Sequence, residues 1–230
     1  MDIDLICLDG DDTLWHNERY FTRVKSAFLE IVEPFAGADA ARTRLEEIAI
    51  RNIPLYGYGA KSVTLSMMEA ALDLAGERLT AADMAAILAA GRELLAHPVE
   101  LLPEVDATLA ILSDHAPLVL VTKGDLLHQE TKLAASGLSA RFAAVDIVSD
   151  KTPDIFRRVF ARHGVTPERA LMAGDSLRSD ILPALEAGAW AAYIPHALAW
   201  SHEQAETPVC HPRFRELGSL AELPGWIGLR

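Results

Sequence analysis

The order of apolar and polar positions divides this chain into three zones. Near the start, Leu5-Ile6-Cys7-Leu8 is a short continuous apolar run that stops at Asp9-Gly10. A run of this length ending in a turn pair predicts a strand buried on both faces. From Trp15 to Pro98 the period changes. Tyr20, Phe21, Val24, Phe28, Leu29 and Ile31 recur close to every 3.6 residues and predict a helix over 18–32, closed by Pro34. Further helices are expected over 38–50, 60–74 and 80–95, the last with Thr80 as N-cap and Asp83 three residues on. Between the second and third of these, Pro54, Gly57 and Gly59 mark residues 52–59 as a loop. After Pro103, strands and helices alternate. Strands are expected over 118–122, 144–148, 170–174 and 190–194, separated by helices over 103–114, 126–136, 153–163 and up to about Ala187. Gly137 and Gly164 supply helix stops and Pro153 a first helical position. The pattern predicts an α/β protein with a doubly wound parallel sheet and an inserted all-helical domain. Residues 1–15 and 99–230 would form the core, and 16–98 the insertion.

Composition narrows what this fold could do. The 230 residues are 50% hydrophobic and 23% charged, which suits a globular enzyme rather than a disordered chain. The formal net charge of -12 disfavours nucleic acid, and no basic stripe offsets it. No apolar run approaches membrane-spanning length, so no membrane partner is expected. The two cysteines, Cys7 and Cys210, imply neither a disulfide framework nor a zinc site. With no basic region leading into a signal-type apolar stretch, a cytoplasmic location is expected.

The chemistry gathers at the ends of the expected strands. The first ends in Asp9-Gly10-Asp11-Asp12-Thr13, the second in Thr122-Lys123, and the fourth in Gly174-Asp175-Ser176 with Asp180 close behind. Lys151 follows the third. In a parallel sheet all four clusters converge beyond the carboxyl ends of the strands, where ligands bind in open α/β folds. Acids from two strands suit a hard divalent cation, Mg²⁺ above all. A hydroxyl, a turn rich in N–H groups and a lysine suit a phosphate. Read blandly, Asp9 to Asp12 are an acidic turn leading into a helix, with Asp12 or Thr13 as its cap.

These four segments, in this order, resemble the four motifs of the haloacid dehalogenase superfamily, over roughly residues 3–195. Leu8 to Leu14 resembles motif one, Thr122 motif two, Lys151 motif three, and Gly174 to Asp180 motif four. The insertion is placed like that family's C1 helical cap. The resemblance implies a phosphatase acting on a small phosphorylated metabolite through an aspartyl-phosphate. It implies Asp9 as nucleophile and Asp11 as general acid and base, the latter with its pKa raised by its like-charged neighbour when no metal is bound. Asp9, the main-chain carbonyl of Asp11, and Asp175 are the implied Mg²⁺ ligands, with Asp180 orienting a metal-bound water. Thr122 and the N–H of Lys123 would hold phosphate oxygens, Lys151 would offset charge, and Thr13 would fix Asp11 by a hydrogen bond.

Other residues have two readings each. His16 and Asn17 either line a flap over the site or form a solvated turn. Tyr56, Tyr58 and Lys61 either meet substrate from the insertion or pack between its helices. The Lys123 side chain is expected in solvent, His196, His202 and His211 in surface or structural roles, and Trp200 and Trp226 as anchors of the C-terminal tail. Three rival functions remain: a 2-haloacid dehalogenase, which the second acid Asp11 argues against; a phosphonatase, for which Lys61 is a poor Schiff-base candidate; and a non-catalytic phospho-ligand binding protein. A monomer or a homodimer is compatible with the pattern.

Overall fold

In a computed structural model, residues 1–229 are described. The chain forms two compact units. The first comprises Met1–Glu18, Val99–Lys123 and Gln129–Arg230, and the second Arg19–Pro98 with Gly124–His128.

The first unit is built on six strands: β1 (Leu5–Leu8), β2 (Leu118–Lys123), β3 (Ala144–Val148), β4 (Ala170–Gly174), β5 (Trp190–Tyr193) and β6 (Phe214–Glu216). All neighbours pair in parallel, in the order β3-β2-β1-β4-β5-β6. The chain therefore grows outward from β1 to one edge, then restarts at β4 on the other side. This reversal puts a topological switch point between β1 and β4, and ligand crevices form beyond the carboxyl ends of strands at such a point. Cys7 lies opposite both Val119 and Met172, which sets the first acid turn beside the end of β4.

Alternation along the strands fills two core layers, because successive side chains point to opposite faces. Ile6, Leu8, Leu118, Leu120, Leu171 and Ala173 share one apolar cluster with Val105, Leu109 and Leu112 of helix α5 (Val105–His115). Leu5, Cys7, Val119, Val121, Ala170 and Met172 share the other with Phe156, Val159 and Phe160 of α7 (Pro153–Arg162). Helices α6 (Leu126–Ser136), α8 (Leu182–Glu186) and α9 (Leu223–Ile227) complete the set after the insertion.

The sixth strand is absent from the sequence reading. It is three residues long, holds two charged residues and pairs on one side only, so no apolar run announces it. Trp226 does anchor the tail, meeting Trp190 edge-on at 6.1 Å, and the Trp200 ring lies 4.8 Å from that of His202, tilted by 37°.

The second unit contains α1 (Glu18–Val32), α2 (Ala38–Tyr56), α3 (Ala60–Ala75) and α4 (Ala81–Leu95). Phe28, Ile48, Met67, Ile87 and Leu94 are fully buried in its core. Thr80 and Asp83 form the expected capping box. Residues 52–56, expected as loop, are the last turn of α2. Pro54 lacks the N–H that would reach the Ile50 carbonyl, and the helix ends two residues beyond it. Side chains from α3 fasten that turn: Asn52 Nδ2 donates to Ser66 Oγ at 3.2 Å and the Tyr56 hydroxyl to Glu69 Oε1 at 2.7 Å. Lys61 pairs with Asp125 at 3.3 Å inside this unit. Among the described residues, no helix is long and apolar enough to cross a membrane.

Candidate active site

The turn after β1 is shaped by contacts that its residues make with one another. Gly10 is required there, since a Cβ would lie 2.8 Å from the Trp15 ring. Asp12 adopts φ 58°, a left-handed conformation that Asp tolerates better than most residues. Its carboxylate accepts the N–H groups of Asn17 and Glu18, at 2.8 Å each. Asp12 thus caps the start of α1, as the bland reading of the acidic turn held, and leaves Asp9 and Asp11 free of that task.

Asp9, Asp175 and Asp180 bring carboxylate oxygens within 4.8 Å of one another. Lys151 sits between two of them, donating to Asp9 Oδ1 at 2.5 Å and to Asp180 Oδ1 at 2.6 Å, with its side chain only 2% exposed. The other oxygen of Asp180 accepts the Ser176 N–H at 3.0 Å. The backbone over Leu177–Ile181 is a π-helical turn, a widening that often marks a functional site, and Ser176 caps it through the Ser179 N–H. Gly174 must lack a side chain, because a Cβ would stand 2.2 Å from Asp180 Oδ2.

One ammonium among three carboxylates leaves excess negative charge. Burial pushes Asp9 up to about 7, with Asp180 and Asp11 adding to the rise and Lys151 opposing it. Asp175 is held well above the usual carboxylate range by burial and by Asp9, Asp180 and Asp12. Lys151 is pushed up as well and so stays charged: burial would lower it, but Asp180 and Asp9 outweigh that. An all-oxygen donor set under this charge pressure fits a hard divalent cation such as Mg²⁺.

Asp11 has surroundings that the sequence did not disclose. Lys132 Nζ lies 2.5 and 2.7 Å from its two oxygens, Trp15 Nε1 donates at 2.6 Å, and Gln129 Nε2 lies 3.0 Å away. Two expectations are corrected here. Thr13 Oγ1 faces Asp9 Oδ2, at 3.4 Å, rather than Asp11. The Asp11 carboxyl lies below, not above, its ordinary range. Burial would raise it, but Lys132 and the donated hydrogen bonds prevail.

Gln129 and Lys132 stand three residues apart on the inward stripe of α6, both buried. That spacing is the one trace they leave in the sequence, and it is shared by any polar pair on one side of a helix.

Thr122 is buried at the carboxyl end of β2, where its Oγ1 accepts from Gln129 Nε2 at 2.9 Å. Lys123 follows, and its side chain is not in solvent as expected. Its Nζ donates to Ser179 Oγ at 2.6 Å and to Glu203 Oε1 at 2.7 Å, while Ser176 and Ser179 donate to Glu203 Oε2 at 2.5 Å each. Glu203 therefore ties the end of β2 to the π-helical turn. Burial would raise its pKa, yet Lys123 and the two serines bring it down to about 2. A depressed carboxyl contributes stability above its unfolded pKa, and that contribution is lost as pH falls toward the folded value. Glu203→Gln should therefore cost up to about 3 kcal/mol near neutrality, and the difference from wild type should shrink between about pH 4.5 and pH 2. Urea unfolding at several pH values checks this. A pH-independent difference would mean that packing, not the ion pair, carries the effect.

Comparison with known proteins fixes the family. A model of the haloacid dehalogenase-like hydrolases matches residues 3–188. This chain belongs to that family. A structure of a family hydrolase from Xanthomonas campestris superposes on it with a TM-score of 0.88 and 38% identity, covering 98% of this chain and 91% of that one. The hydrolase is 33% identical over 129 residues to a phosphoserine phosphatase from Thermus thermophilus, covering 54% of this chain and 49% of that protein. The chain spans about half the length of the curated relatives it matches. A 2-haloacid dehalogenase structure from Pseudomonas syringae, at 22% identity and a TM-score of 0.64, shares the fold.

Proposed function

We propose that this hydrolase is a Mg²⁺-dependent phosphatase of small phosphorylated metabolites, with residues 16–98 as its cap domain and the cytoplasm as its location. The observation that carries the reading is the second acid, Asp11, two residues beyond Asp9 and held apart from it by its own lysine. A nucleophile with one acid beside it can attack phosphorus and then release its ester, which needs a proton donor and later a base. The same acid disfavours the dehalogenase reading, in which no leaving-group oxygen awaits a proton.

The steps follow from the residues. An Asp9 carboxylate oxygen attacks phosphorus, the bond to the substrate oxygen breaks, and that oxygen leaves with a proton delivered through Asp11. The Asp11 carboxylate, kept ionised by Lys132 in the resting site, takes that proton up from solvent first. Asp11 then takes a proton from water, whose oxygen attacks the phosphorus, releasing phosphate and restoring Asp9. Lys151 holds Asp9 in place and offsets charge, and Thr122 and the Lys123 N–H receive phosphate oxygens. Asp9, the Asp11 carbonyl and Asp175 would hold the cation, with Asp180 orienting its water. When bound, it neutralises phosphoryl charge and keeps Asp9 ionised.

Metal-stripped protein should be inactive and regain activity with Mg²⁺ on some members of a panel of phosphorylated sugars, nucleotides and organic acids. It should release no halide from 2-chloropropionate. Full activity in EDTA, or halide release without phosphate release, would overturn the reading.

A further inference from the structure

A second group of metal-ligating side chains lies on the first unit, outside the carboxylate cluster that surrounds Lys151. Asp12, His16 and His196 bring one donor atom each within 4.8 Å of one another. They come from two separate segments: the connection between β1 and α1, which carries Asp12 and His16, and the loop after β5. Backbone hydrogen bonds fasten both segments. Asp12 N donates to the Trp15 carbonyl at 2.7 Å, His16 N to Glu100 at 3.0 Å, and Ile194 N, two residues before His196, to Gly174 at 3.0 Å. The three donors are thus held together by backbone that does not depend on any contact among them.

We propose that Asp12, His16 and His196 form a binding site for a divalent transition metal, of which Zn²⁺ is the representative. The spacing is the first argument. Asp12 Oδ1 and His196 Nε2 are 3.6 Å apart, longer than a hydrogen bond. Two ligands at about 2.1 Å from one tetrahedral ion stand about 3.4 Å apart, so the observed separation is close to a ligand–ligand edge.

The donor set is the second argument. Two imidazoles and one carboxylate suit Zn²⁺, Fe²⁺ or Co²⁺, whereas the all-oxygen cluster suits Mg²⁺. The two groups therefore select different ions. Asp12 has capacity to spare, because an ionised carboxylate offers about four lone-pair positions and its two N–H contacts occupy two. His196 is largely buried, and it is its Nε2 that faces Asp12.

A metal here would bind the turn that carries Asp9 and Asp11 to the loop after β5. It would stabilise that turn without touching the reacting atoms. The inference does not rest on the phosphatase reading, and its test needs no substrate.

Metal-free protein is titrated with Co²⁺ and followed by its visible absorption, with Zn²⁺ as competitor. One equivalent should give the spectrum of nitrogen-ligated, four-coordinate Co²⁺, and Zn²⁺ should abolish it. Asp175→Asn, which disables the all-oxygen cluster, should leave that spectrum intact. His16→Asn and His196→Asn should each weaken binding by about 100-fold or more, at or beyond the range seen when a mere supporting residue is lost. Asp12 is left unaltered because it caps α1. In wild-type protein, nitrogen-15 spectra of the eight imidazoles should show two that shift with Zn²⁺. No imidazole shift, or Co²⁺ binding unchanged in both histidine variants, overturns the proposal. The wild-type spectra decide it even if a variant fails to fold.

Discussion

Asp9→Asn should show no turnover on any phosphate ester while keeping the wild-type fold. The change removes the nucleophile and the charge that Lys151 pairs with at 2.5 Å. An amide is a poor nucleophile toward phosphorus and a poor ligand for a hard cation. Folding is expected to survive for an electrostatic reason. Burial and like charge already push Asp9 up to about 7, so a neutral group at this position relieves repulsion from Asp180 and Asp11. Thermal stability of the metal-free variant should therefore equal or exceed that of wild type, even though Lys151 keeps only Asp180 as a charged partner. Polar active-site residues often carry such a cost to stability. A chromogenic ester gives the turnover and a melting curve gives the stability. Residual activity above the uncatalysed rate would move the nucleophile elsewhere. Mass spectrometry of acid-quenched wild-type protein identifies it directly, since the phosphoryl group must reside on Asp9 and not on Asp11, a serine or a histidine.

The difference between what could and could not be read from the chain follows from the range of each interaction. Strand ends bearing Asp9, Thr122 and Asp175 were legible because buried parallel strands are continuous apolar runs, and a polar cluster after such a run is conspicuous. Lys151 was legible only through its place after the third strand. Its two partners, Asp9 and Asp180, lie 142 and 29 residues away, and no local pattern encodes such pairings.

Lys132 and Gln129 escaped for the same reason. They sit in the middle of an amphipathic helix, where a polar residue on the inward stripe differs from an outward one by a rotation about the axis. Glu203 escaped because it lies in an irregular segment whose composition, rich in His, Trp and acids, reads as surface. The sheet then folds that segment back against the π-helical turn. Thr13 meets Asp9 rather than the expected Asp11. Both Asp9 and Asp11 are within reach in sequence, and only the curl of the turn decides which carboxylate its hydroxyl meets.

Asp11→Asn should reduce turnover by about 10²- to 10⁴-fold, the usual contribution of a general acid–base group, and Lys132 determines how that loss is read. With a good leaving group the first step needs little protonation, so the variant should still transfer phosphoryl to Asp9 and then stall. Phosphorylated protein should accumulate to near one equivalent. Lys132→Met poses the complementary case. Asp11 keeps 24% of its side-chain surface, but it loses the ammonium that holds its carboxyl below the usual range. Stability should fall by about 3 kcal/mol at pH 7, the cost of leaving a partly buried charge without its partner. A depressed carboxyl stabilises the fold above its unfolded pKa and ceases to do so as pH falls. The deficit of Lys132→Met relative to wild type should therefore narrow below about pH 4. The double variant, Asp11→Asn with Lys132→Met, isolates the pair. If the carboxylate and the ammonium act as one unit, it should be more stable than Lys132→Met alone, because the uncompensated charge is gone. Its turnover should be no lower than that of Asp11→Asn, since Lys132 acts only through the acid that is already missing. Additive losses in both stability and turnover would break this link. Lys132 would then have a role of its own in holding substrate, and Asp11 would have to be positioned by Trp15 and Gln129 alone.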